Sequence, residues 1–137
     1  MDREEVRRRV TTARVARLAT VRPDGTPHLV PICFAVVGDT IVSAVDDKPK
    51  KSLQLQRLAN VRANPAVSLL VDFYDEEWSR VWWARVDGRA RVAQHGPEWD
   101  AAVAALRAKY EQYERVGIGG AALVIDVDSW SGWAYSG

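Results

Sequence analysis

The chain has one cysteine, Cys33, only two histidines, and four lysines (Lys48, Lys50, Lys51 and Lys109) among its 19 basic residues. A single cysteine excludes an intrachain disulfide and suits a reducing compartment. No apolar run approaches the roughly 20 residues of a bilayer-spanning helix, so no membrane partner is expected. The opening MDREEVRRRV mixes acids with arginines and lacks the apolar stretch of a secretory signal. A soluble, cytoplasmic protein is the expectation. The net charge of +1 leaves no overall field to hold nucleic acid, so no nucleic-acid partner is expected either. The usual catalytic sets are also missing. There is no His/Cys/Asp cluster at metal-ligand spacing and no GxSxG, so neither a metal nor a catalytic side chain is assigned. Gly117-Ile118-Gly119-Gly120 is too short for a phosphate loop.

At 137 residues the chain fits one domain, residues 1–137, with a core large enough to need no staples. Residues 2–13 read as a helix, capped by Asp2, with Glu4 and Glu5 at its positive end and arginines toward the other. Strand patterns then dominate. Residues 15–22 run into Pro23-Asp24-Gly25-Thr26, a turn because proline presets φ and glycine accepts positive φ. Residues 27–37 read as one strand with His28, Val30, Ile32, Phe34 and Val36 on one face. Gly38-Asp39 turns it into residues 40–45, and the three strands are expected to form an antiparallel meander.

Residues 52–63 have helical composition and stop at Asn64-Pro65. Residues 66–74 are apolar on both faces, hence a central strand, and residues 79–93 form a long strand or two interrupted near Asp87-Gly88. After Gly96-Pro97, the residues Trp99, Val103, Leu106, Tyr110 and Tyr113 mark one face of a helix. A last strand over 121–128 precedes an aromatic tail, SWSGWAYSG. Six or so strands with peripheral helices predict a mainly β fold, a closed or split antiparallel barrel.

Three features carry chemistry. The sequence DDKPKK sets three lysines just before a helix N-terminus, an ordinary place to hold an anion, although charge runs are commonly solvated loops. Pro31 interrupts a strand and marks an edge, a bulge or a ligand against the backbone. Five of the six tryptophans fall in two clusters, Trp78, Trp82, Trp83 and Trp130, Trp133, and the neighbours Trp82 and Trp83 must face opposite ways. His28 reads as structural, and Cys33 as a small buried hydrophobe. Together these features describe a pocket for a flat heterocycle with a charged tail, a cofactor that brings its own chemistry.

The stretches RVARLATVRPDGTPHLVPICFAV and LQRLANVRANPAVSLLVD resemble the flavin/deazaflavin oxidoreductase superfamily of split β-barrels, which includes pyridoxamine-phosphate-oxidase-like proteins. DFYDEEWSRVWWARVDGRARV resembles its subgroup of F420-dependent enzymes from actinobacteria. The resemblance implies a homodimer with a cofactor site at each subunit interface. It places Arg57 where the family has a basic residue, usually lysine, on the cofactor phosphate, and Lys48 and Lys51 in a loop holding the same tail. It places Pro31, Ile32, Cys33 and Phe34, and the segment from Ser43 to Asp46, on strands lining the ring. Trp82 is a further candidate from the aromatic clusters, while Lys109, on the late helix, is expected to lie outside the site. The implied function is an F420-dependent oxidoreductase passing a hydride from reduced deazaflavin to an unsaturated or heteroaromatic small molecule. The alternatives are an FMN-dependent enzyme of the same fold and a non-enzymatic cofactor- or tetrapyrrole-binding protein.

Overall fold

The computed structural model describes residues 1–44 and 51–136, with the backbone alone for 51–55. Asp46 and Lys48, and the side chain of Lys51, lie outside the described residues.

Helix α1 (Arg3–Thr12) starts where Asp2 accepts a hydrogen bond from the Glu5 amide at 2.9 Å, and it buries Val6 and Val10. Strands β1 (Ala16–Val21) and β2 (Pro27–Ile32) pair as a hairpin from Ala16↔Ile32 to Val21↔Pro27. The Asp24 carboxylate closes their turn by accepting from both the amide and the hydroxyl of Thr26, and Gly25 supplies the required φ of 89°. Strand β3 (Ala35–Val37) follows, then β4 (Thr40–Ala44), helix α2 (Lys51–Ala63), and β5 (Ala66–Phe73). A 3-10 turn at Trp78–Arg80 leads into β6 (Trp82–Ala93). Helices α3 (Pro97–Lys109) and α4 (Gln112–Arg115) precede β7 (Ala122–Ala134).

The seven strands make one antiparallel sheet in the order β2-β1-β5-β6-β7-β4-β3. The expected meander is therefore not formed. The chain breaks at Cys33-Phe34, so that β2 pairs with β1 at one edge while β3 pairs with β4 at the other. Two residues can span only about 10 Å, so the two edges are drawn together and the sheet rolls into a split barrel. The backbone at this crossing lacks ladder partners and is satisfied by side chains. The Tyr110 hydroxyl accepts from the Phe34 amide at 3.1 Å and donates to the carbonyl of Arg14 or Phe34. The Ser43 hydroxyl donates to the Cys33 carbonyl at 2.8 Å. Pro31 lies on the edge strand, where its missing donor costs no ladder bond.

The inner face holds a core including Leu18, Phe34, Ile41, Leu69, Val86 and Ile125, to which α1 adds Val6 and Val10 and α2 adds Leu58 and Val61. A second core lies outside the sheet, where Val103, Leu106 and Tyr110 cover Ala35, Val42 and Val124. The last strand extends six residues beyond the expected Asp128. The aromatic tail is part of the sheet, with Trp83 opposite Trp133 and a bulge at Asp87/Gly88.

Candidate functional site

Strand β2 organises the site, because its two ends present different chemistry. At its start, His28 lies opposite Thr20, and the buried Thr20 hydroxyl accepts from Asn60 Nδ2 at 3.0 Å. Gln56 Nε2 in turn donates to Asn60 Oδ1 at 2.7 Å. This buried ladder fixes α2 against β1 and brings Arg57, one position from Gln56, toward His28. Burial first, then the charges of Arg22 and Arg57, hold the His28 imidazole below its ordinary pKa. His28 Nδ1 is buried and has no hydrogen-bond partner among the described residues. The two arginines make the surroundings of His28 positively charged, although the Arg22 guanidinium also donates to the Pro27 carbonyl at 2.6 Å. Arg22 and His28 were not singled out from the sequence as ligand-binding residues. Only the hairpin brings them near Arg57.

At the other end of β2, Pro31 and Cys33 are exposed, whereas Ile32, Phe34 and Ser43 are buried. Cys33 is thus not the buried hydrophobe expected of it, because the chain crossing turns it outward. A ligand here would meet the side chains of Pro31 and Cys33 and the backbone beside them. His28 and Pro31 are three residues apart, about 10 Å along a strand. The odd separation puts the two side chains on opposite faces of β2, so a ligand that reached both would cross the free edge of this edge strand.

Lys109 packs next to the strand crossing. Its Nζ donates to the Ala13 carbonyl at 2.7 Å and sits 4.0 Å over the Phe34 ring, behind Cys33-Phe34. Burial, and after it the Arg14 guanidinium, push the Lys109 ammonium down to about 8, while the Cys33 sulfur acts in the opposite sense.

Among the described residues, nothing covers the outer sheet face away from α3. Register places Leu29, Ala19, Ser68, Asp87 and Ser129 in one row across it, and Pro31, Arg17, Leu70, Arg85 and Ser131 in the next. Leu29 is 66% exposed and Leu70 is 37% exposed. An open depression of about 550 Å³ runs between Leu29, Arg17, Leu70 and Trp83. The Asp87 carboxylate accepts from Ser68 at 2.6 Å, which chiefly holds it below the usual carboxylate range, with Arg85 and Ser129 adding to the effect. Trp83 lines this depression, with Arg85 5.8 Å from its ring centroid. Trp82 faces the other way, packed on the inner core under the Arg9 guanidinium at 4.7 Å. No group of three acidic, histidine or cysteine side chains is placed to hold a metal among the described residues. No helix among them is long and apolar enough to cross a membrane.

A rolled seven-stranded antiparallel sheet with its helices at the periphery defines a split β-barrel protein. The family profile described as pyridoxamine 5'-phosphate oxidase matches residues 2–134, and the chain belongs to that family. Solved structures share the fold. A conserved hypothetical protein of Mycobacterium tuberculosis is 21% identical, with 98% of this chain and 85% of that one covered and a TM-score of 0.75. The haem storage protein HutZ of Vibrio cholerae is 16% identical over 98% and 95% of the two chains, with a TM-score of 0.73. The FAD binding protein of Mycobacterium smegmatis is 19% identical over 98% and 97%, with a TM-score of 0.65. No curated protein matches the chain.

Proposed function

We propose that this protein is a homodimeric oxidoreductase that holds a flavin-type cofactor along β2, with coenzyme F420 the cofactor used. The observation that carries this reading is the basic cluster of Arg22, His28 and Arg57, with its unpartnered Nδ1, one short strand from the exposed Pro31 and Cys33. Arg57, with Arg22 and His28, takes the phosphate of the tail, and Lys48 and Lys51 add charge for an acidic extension. Pro31, Ile32, Cys33 and Phe34 offer an edge strand to the ring, and Ser43 fixes the carbonyl beside it.

When bound, the deazaflavin supplies hydride transfer with little reaction toward oxygen. The protein's residues bind and orient; none of the described groups is placed as a general acid or base. The uncovered outer face is where a second copy completes each site. The substrate class that suits a hydride donor is an unsaturated or heteroaromatic small molecule.

The second reading is FMN or FAD on the same strand, which the family membership and the FAD-binding structural relative favour. Titration of the purified protein with coenzyme F420, FMN and FAD separates the two. The proposal expects F420 to bind at least about tenfold tighter than either flavin, a difference of about 1.4 kcal/mol. Equal or tighter flavin binding transfers the conclusion to the second reading. Oxidation of reduced F420 by enones, quinones or tetrapyrroles distinguishes an enzyme from a carrier.

A further inference from the structure

The chain treats its aromatic surface in two ways. Over several rings it lays its own cations: Arg7 lies 5.3 Å from the Trp130 centroid, Arg9 4.7 Å from Trp82, Arg14 4.6 Å from Tyr110 and Arg85 5.8 Å from Trp83. At the far end of the outer face, Tyr74, Trp78, Trp133 and Tyr135, with Val81, surround a separate cavity of about 240 Å³. All four rings are exposed, and no lysine or arginine stands over any of them among the described residues. The cluster is built rather than loose. The Trp78 indole N–H donates to the Tyr74 hydroxyl at 3.3 Å, and Trp133 meets Tyr135 edge-to-face at 6.3 Å and 86°. The Tyr135 amide donates to the Val81 carbonyl at 3.0 Å, and the Ser136 hydroxyl to the Ser79 carbonyl at 2.8 Å, pinning the end of the chain against the 3-10 turn.

The segment that joins two of its walls, Tyr74 and Trp78, is acidic. Tyr74 is followed by Asp75, Glu76 and Glu77. Arg80, the nearest cation in sequence, reaches Asp75 at 3.7 Å, and Glu76 and Glu77 have no ion pair among the described residues. Ring faces carry negative electrostatic potential, and converging faces beside carboxylates attract a cation that is weakly hydrated and apolar at its surface. A neutral apolar molecule would not use the carboxylates.

We propose that Tyr74, Trp78, Trp133 and Tyr135 form an aromatic cage for a small organic cation, an alkylated ammonium or guanidinium group. The site is separate from the basic cluster on β2 and does not depend on which cofactor is bound there.

The test is titration of the full chain with tetramethylammonium chloride, followed through the indole N–H signals of Trp78 and Trp133. Sodium chloride at matched ionic strength and the neutral isostere tert-butanol serve as comparisons. The cage predicts saturable shifts of these two indoles only, with a Kd on the order of 1–10 mM, and none with either comparison. Trp133→Ala and Trp78→Ala should each weaken binding about tenfold, and Glu76→Gln with Glu77→Gln about threefold. Trp78 is 60% exposed on a turn, so its replacement keeps the test valid should Trp133→Ala fold poorly. Absence of saturation, or equal binding of tert-butanol, overturns the proposal. It is also overturned if Trp78→Ala changes the oligomeric state while tetramethylammonium has no effect, since the rings would then be covered by a second copy. F420 affinity unchanged in Trp78→Ala would separate this result from the cofactor reading.

Discussion

Lys109 holds its ammonium between opposing influences, with a carbonyl and two ring faces near it and burial and Arg14 acting to discharge it. Its ordinary value is 10.5 and its folded one about 8. Between these values the unfolded chain carries a proton that the folded one has released, so stability rises with pH through that window. Below about 8 both states hold the proton and the full penalty applies. The group is partly solvated, so the gain is only about 1 kcal/mol. Urea denaturation at pH 7.5 and 9.5 should show this rise, and Lys109→Met should abolish it. His28 behaves differently: burial chiefly lowers its pKa, and an anion would offset the repulsion that Arg22 and Arg57 add. Binding of the cofactor, or of inorganic phosphate at the same place, should raise the His28 pKa in an NMR titration. An unmoved His28 would place the anion elsewhere.

At the scale of elements, the break between β2 and β3 decides the topology, and Pro31 is its one local trace, marking an edge without showing that the chain leaves it. Ile32, Phe34 and Val36 keep their period of two straight through the crossing, so residues 27–37 read as one strand. The break is held from a distance, by a Tyr110 hydroxyl 76 residues away from Phe34. Tyr110→Phe would leave the Phe34 amide buried without a partner, at a cost of about 1–3 kcal/mol in chemical denaturation. The tail after Asp128 was obscured by serine and glycine, although its alternation of Trp130 and Gly132 inward with Ser129, Ser131 and Trp133 outward is that of a strand. The bulge between Asp87 and Gly88 has a clearer sequence trace, because a Cβ at Gly88 would lie 2.4 Å from the Asp126 carbonyl oxygen. Gly88→Ala must therefore move a neighbouring strand, and it should cost about 3 kcal/mol or more. The hairpin turn, both ends of α1 and the buried face of α3 were legible because their determinants are neighbours in sequence. The basic cluster was legible only at Arg57, since Arg22 and His28 join it through strand pairing.

At the scale of the molecule, the described residues cover the sheet on its inner face and, outside, where α3 and α4 lie. The remaining outer half carries Leu29, Leu70 and Trp83 beside Arg17, Arg85 and Asp72, with Arg17 and Asp72 3.9 Å apart. A patch that contains apolar side chains and charges of both signs can pair with its own copy about a two-fold axis, each Arg17 facing the other copy's carboxylate. This is the surface on which the proposed homodimer rests. Leu70→Glu tests it, because Leu70 is already 37% exposed and its replacement should leave the protomer folded, at a cost within about 1 kcal/mol. Two buried carboxylates facing each other across the axis would disfavour association strongly. Sedimentation should show the wild type as a dimer at micromolar concentration and Leu70→Glu as a 15.3 kDa monomer. If the second copy completes each site as proposed, cofactor affinity should fall when dimerisation is lost, while far-UV circular dichroism stays unchanged. A folded Leu70→Glu monomer that binds F420 like wild type would keep the β2 site but remove it from the interface. A Leu70→Glu protein that remains dimeric would place the interface on another face.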